Sequence, residues 1–261
     1  MSAISNSLDV NITNSKIENL LNYYTDELKF INNCAESLKQ YILENNIRLH
    51  KLLTESNKNT EEWELLGNYK ETNDRPNNTP KTDLISSNEK YKISLKKANG
   101  SQVMSGAYNE ARATILCACK DANFKYDKYD KLLSIPWVKL RGNQKGINKQ
   151  KQSGNNDLIK YIEEAERNVA LVSEILNVDF NNNIKFKEAL LREAITGNHK
   201  FGKDSLLSAN CVFVWSFVKE ENKMFSINNY IEHIISNPMK LDISWKTGGS
   251  TSYQVLRIQT K

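Results

Sequence analysis

A change of hydrophobic period near residue 83 constrains this chain more than any other feature. Upstream, Ile17, Leu20, Leu21, Tyr24, Leu28 and Ile31 recur at three- and four-residue spacing, the stripe of an amphipathic helix over 14–33, and a second helical stretch is predicted to about Leu53. The run ETNDRPNNTPK at 71–81 sets two prolines among Asn, Asp and Thr and is predicted as loop. Beyond it the period falls to two. Leu84 and Ile85, a polar turn at 86–90, then Tyr91, Ile93 and Leu95 alternating with Lys92, Ser94 and Lys96 read as a β-hairpin. Gly100 is expected to break the strand, and the Ala-rich run at 105–120 reads as a helix with small residues at its start. Strands set between helices predict an α/β chain, with a central mixed sheet flanked by helices and a helical N-terminal extension.

The remainder of the chain keeps this alternation. Residues 139–156 carry Lys139, Arg141, Lys145, Lys149 and Lys151 with no acid, a local charge equal to the whole-chain balance of +5. Such a Gly/Gln/Asn-rich stretch reads either as a mobile linker or as a basic flap over a phosphate backbone. From Asp157 to about Asn177, Ile162, Ala165, Val169, Val172 and Leu176 form one helical stripe, and a further helix is predicted over 186–195. The last third turns to strand: CVFVWSF at 211–217, then KLDISWKT and SYQVLRIQTK flanking Thr247-Gly248-Gly249-Ser250, a hairpin signal.

Several classes are excluded early. A chain of 261 residues with four Trp, eleven Tyr and eight Phe has the apolar content of a folded protein. No apolar run approaches the roughly 20 residues of a membrane span, and the first residues lack a signal peptide's apolar core, so a soluble intracellular protein is expected. Cys34, Cys117, Cys119 and Cys211 form no CxxC pair and read as buried thiols. The three histidines, His50, His199 and His233, lack metal-site spacing. The string from Gly197 to Asp204 nearly matches a phosphate-binding P-loop, but Asp204 replaces the required hydroxyl and a helix precedes it, which rules the motif out.

The hairpin's polar groups remain. Asp83 opens one strand and Lys96 lies on the next, and a carboxylate near a lysine is what metal-assisted attack of water on a phosphodiester needs: the acid holds a hard cation and the lysine offsets developing charge. A surface hairpin with solvated lysines has the same pattern. Here the chain resembles the PD-(D/E)xK nuclease superfamily, through Pro80-Lys81-Thr82-Asp83, then Ile93-Ser94-Leu95-Lys96, then a helix. Ser94 stands where the usual strand acid would be, and Pro80 stands three residues before Asp83 instead of next to it. Some restriction endonucleases of this fold take the missing carboxylate from the following helix, and Glu110 has the matching position, with thirteen residues between it and Lys96. Gly106, Ala107 and Ala111 would let that helix pack closely.

The resemblance implies a restriction-endonuclease-like fold and the activity of a DNA endonuclease. By the same resemblance Asp83, Glu110 and the Leu95 carbonyl would ligate Mg2+ or Mn2+, Lys96 would position water, and Ser94 would be an outer-shell or spectator group. Ser101 and Gln102 would contact phosphate or cap the helix. Lys97, Arg141, Lys145, Lys149 and Lys151 would bind DNA, and Glu62 or Glu64 would supply a further acid or lie on the surface. The expected organisation is a helical region at 1–57, a nuclease-like core at 58–138, a basic loop at 139–156, and a C-terminal part at 157–261 that completes the same domain. REAITGNHKFG, SANCVFVW and ISWKTGGSTSYQVLRI, with TPKTD and SLKK, also look like uncharacterised tailed-phage proteins. DNA is the expected partner, with a homodimer left open, in the cytoplasm of a bacterial or phage-infected cell or in a virion. The alternative function is a non-catalytic DNA-binding or virion structural protein with a nuclease-like fold.

Overall fold

The computed structural model describes residues 49–50, 58–86, 89–97, 102–134, 139–141, 151–152, 154–215, 223–236, 239–248 and 251–260. The helix predicted over 14–33 lies outside them. The described residues are mixed α and β, and no helix among them is long and apolar enough to cross a membrane. They fall into two compact units.

The first unit gathers the described residues of Met1–Thr60, Asn78–Ser101 and Ile195–Ser236. Its sheet has the order β1 (Leu49–His50), β2 (Leu84–Ser86), β3 (Lys92–Lys97), β6 (Cys211–Trp215) and β7 (Lys223–Ser226). The predicted hairpin is β2 and β3, antiparallel with Leu84 opposite Ile93. β3 and β6 run parallel, with Ser94 opposite Val212 and Lys96 opposite Val214, so the sheet is mixed. Asn210 joins them at their start: it takes the Lys92 amide on Oδ1 at 2.8 Å and donates its own amide to the Lys92 carbonyl at 2.9 Å. β3 is central and buried on both faces, with Ile93 and Ser94 both inaccessible. The helix at Ile227–Ile235 buries Ile227, Tyr230, Ile231 and Ile234 and packs on β6 and β7; Ser226 caps it by accepting the Asn229 amide.

The second unit gathers the described residues of Glu61–Asn77, Gln102–Ala194 and Asn237–Lys261. It opens with two short helices, α1 (Glu61–Leu66) and α2 (Tyr69–Thr72). Its antiparallel sheet is built on β9 (Thr251–Thr260), which pairs along its length with β8 (Met239–Gly248) and on its other side with β4 (Gln102–Ala107) and β5 (Lys139–Arg141). Gly248 pairs with Thr251, as the predicted hairpin requires. The long helix predicted from 157 spans Asn156–Asn182, buries all five predicted stripe residues and adds Phe180. From it Ser173 and Asn177, one turn apart, accept the amides of Ile243 and Leu241, which satisfies donors on the outer edge of β8. The helix predicted over 186–195 spans Ile184–Thr196.

Several expectations are corrected. Leu49–His50 is strand where helix was expected. Residues 102–107, expected as loop and helix start, form β4, because they pair with 255–259 of β9 and bury Val103 and Met104; the helix α3 begins only at Tyr108 and ends at Ala122. This pairing also gives two sheets where one central sheet was expected. Residues 139–141 belong to a strand and not to a loop.

Candidate active site

Asp83 stands where β2 begins, and its backbone and side chain together extend the pairing with β3. Its amide donates to the Ile93 carbonyl at 2.7 Å, and its Oδ2 accepts the Leu95 amide at 2.8 Å. Residues two apart in an extended strand point their peptide groups to the same edge. The Ile93 carbonyl and the Leu95 amide both meet Asp83, so the Leu95 carbonyl leaves β3 on that edge too. The carboxylate is 7 % exposed, so a charge-assisted bond of this kind holds it in one orientation. The entry to β2 is anchored by Lys81 and Thr82, whose amides donate to the Leu207 carbonyl.

Alternation along β3 sets Lys92, Ser94 and Lys96 on one face. Ser94 is buried and Lys96 and Lys97 are half-buried. Lys92 is not a solvated strand lysine: it is buried, and its Nζ donates to the carbonyls of Ser205 at 2.8 Å and Lys203 at 3.3 Å. Burial lowers its pKa, against the pull of Asp204.

Glu110 belongs to the second unit, in the first turn of α3, and is 6 % exposed. Its Oε2 accepts the side-chain amide of Asn77 at 2.8 Å. Beside it Asn109 donates to the Gly67 carbonyl and to Thr72 Oγ1, both at 2.7 Å, so the first turn of α3 holds the whole stretch 67–77. Burial and the Glu110 charge push the Tyr69 phenol far up, while a bond from the Asn77 backbone works the other way. Trp63, Tyr69, Ala113 and Cys117 close this region beneath. Gly106 is required by close approach: a Cβ there would lie 3.4 Å from Glu110 Cγ, 3.3 Å from the Ala111 amide nitrogen and 2.6 Å from Met104 Cε. The small residues expected to admit the helix therefore do so at Gly106 and at fully buried Ala111, whereas Ala107 is exposed.

The remaining expected residues separate into those with and without described positions. Glu62, in α1, pairs with Lys120 in the last turn of α3. That is ten residues, or about 15 Å, along the helix from Glu110, so Glu62 is a surface acid and not a companion to it. Glu64 is half-buried on the same short helix. Gln102 is exposed and paired in β4, so it does not cap the helix, whose N-cap is Ala107. Lys151 is paired with Glu166 at 2.8 Å, an acid from outside the basic segment. Arg141 is described only as part of β5; Ser101, Lys145 and Lys149 lie outside the described residues. Asn77 was not anticipated, since nothing separates it in sequence from the other asparagines of its loop.

The donor chemistry fits a hard divalent cation. In the first unit the Asp83 carboxylate and the Leu95 carbonyl stand at one strand edge, both oxygen ligands. The neighbouring Thr82 hydroxyl is fully buried with no hydrogen bond among the described residues, an orphan of the sort that an ordered water or ion satisfies. Among the described residues no group of three or more His, Cys, Asp or Glu is placed to hold a metal ion. Compared with known protein families, curated proteins and solved structures, the chain matches none.

Proposed function

We propose that the protein is a Mg2+- or Mn2+-dependent nuclease that hydrolyses DNA phosphodiesters. One observation carries the reading: the Asp83 carboxylate is caught by the Leu95 amide at the edge of a central strand that also carries Ser94 and Lys96. Asp83 and the Leu95 carbonyl would hold the cation, which would polarise a phosphoryl oxygen and acidify water; Glu110 is a ligand only as the resemblance implies. The Leu95 amide fixes the Asp83 carboxylate before substrate arrives, so no reorganisation is needed during reaction. The Lys96 ammonium offsets the negative charge that builds on the phosphate, a contribution made chiefly in the transition state. Ser94, buried and neutral, is a weak ligand beside carboxylates and serves to pack the strand. The inclusion of Glu110 rests on the resemblance and on its burial as a carboxylate.

The test is incubation of the purified chain with plasmid and linear DNA, in Mg2+, in Mn2+ and in chelator. Metal-dependent nicking or linearisation supports the reading. DNA binding without cleavage in either metal would support the non-catalytic alternative.

A further inference from the structure

We infer that Asn77 is a positioning residue for Glu110, setting the orientation in which that carboxylate meets a divalent cation; this rests on the nuclease reading above. Glu110 is buried in the first turn of α3, and the Asn77 side-chain amide donates to its Oε2 at 2.8 Å. The neutral amide donates to Oε2 and brings no charge of its own, so it orients the acid without forming an ion pair with it. Asn77 is itself exposed, beside Pro76 in the loop, so packing does not hold it in place. The segment that leads to it is tied to α3 through Asn109, which donates to the Gly67 carbonyl and to Thr72 Oγ1. Partners that orient ligating carboxylates commonly change metal affinity by 10- to 100-fold when removed, about tenfold being the low end.

The same loop supplies its own control. Thr72 accepts from Asn109, the neighbour of Glu110, and not from Glu110. Thr72→Val therefore loosens the loop's other anchor and leaves the Asn77 bond in place. Calorimetric titration of full-length protein with Mg2+ alone, without DNA, is expected to show about tenfold weaker binding for Asn77→Ala and near-unchanged binding for Thr72→Val. In DNA cleavage, Asn77→Ala should raise the Mg2+ concentration for half-maximal rate by the same factor, with the rate largely restored at saturating Mg2+. Thermal unfolding of each variant establishes that it is folded. If Asn77→Ala binds Mg2+ as tightly as the unmodified chain, or if Thr72→Val weakens binding equally, the positioning role is wrong while the nuclease reading stands. An unmodified chain that neither binds Mg2+ nor cleaves DNA overturns both.

Discussion

Replacing Asp83 separates what the carboxylate does for the fold from what it does for chemistry. Asp83→Ala deletes the acceptor of the Leu95 amide, a hydrogen bond to a charged group in a nearly inaccessible place, and leaves a strand donor unpaired. Such a loss costs about 2 kcal/mol, which for a chain of this size lowers Tm by about 4–8 °C. Asp83→Asn keeps an oxygen of the same reach, so the Leu95 amide retains a neutral bond and the stability loss should stay below about 1 kcal/mol. The cation-holding charge, however, is gone in both. Metal stabilisation of a phosphoryl transition state is worth several kcal/mol, so both variants should cleave DNA at least about 100-fold more slowly. Thermal unfolding by circular dichroism and initial rates of plasmid cleavage read the two effects separately. Equal Tm losses for Ala and Asn would refute the assigned hydrogen bond, and wild-type cleavage by Asp83→Asn would refute the ligand role.

Gly106→Ala adds a methyl 3.4 Å from Glu110 Cγ and 3.3 Å from the Ala111 nitrogen; since the closer contact, the tip of Met104, can swing away, a loss of about 1 kcal/mol is expected in thermal unfolding, with cleavage reduced by displacement of Glu110. Ser94→Ala should retain most cleavage, whereas Ser94→Glu combined with Glu110→Ala should recover part of the activity that Glu110→Ala loses; no recovery in initial-rate assays would count against the migrated carboxylate. Asp179 offers a test unrelated to function. Burial raises its pKa, but bonds from Lys128 at 2.8 Å and from Tyr129 at 2.5 Å outweigh that and hold the carboxyl below its usual range. Its stabilising effect is therefore complete above the unfolded carboxyl range near about pH 4 and is lost as pH falls through the lower folded value, so the Tm gap between the unmodified chain and Asp179→Asn should be widest near neutrality and close in strong acid.

Elements whose signal is local were legible in the sequence. The hairpin at 84–97, the stripe from Ile162 to Leu176 and the hairpin across Gly248 each declare their period within a dozen or so residues. β4 was not, because Ser105, Gly106 and Ala107 have no strand preference of their own and are extended by pairing with residues some 150 positions later. Separations of 111 and 113 residues likewise hid the burial of Lys92, whose ammonium is satisfied by carbonyls of Lys203 and Ser205. In the candidate site, Asp83, Ser94, Lys96 and Glu110 were named through the resemblance, since their spacing alone decides nothing, whereas the Leu95 amide and Asn77 could not be, since a backbone donor and a loop asparagine carry no distinguishing letter. For Glu62 the sequence left two readings, a further acid or a surface acid, and its pairing with Lys120 at the far end of α3 fits the second.

The measurement that bears most directly on the nuclease reading is the rate of Mg2+-dependent plasmid cleavage by the unmodified chain and by Lys96→Ala, side by side. Cleavage that chelator stops, and that Lys96→Ala abolishes while DNA affinity barely changes, is the predicted result. Plasmid left intact by the unmodified chain, or cut equally fast by Lys96→Ala, would contradict it.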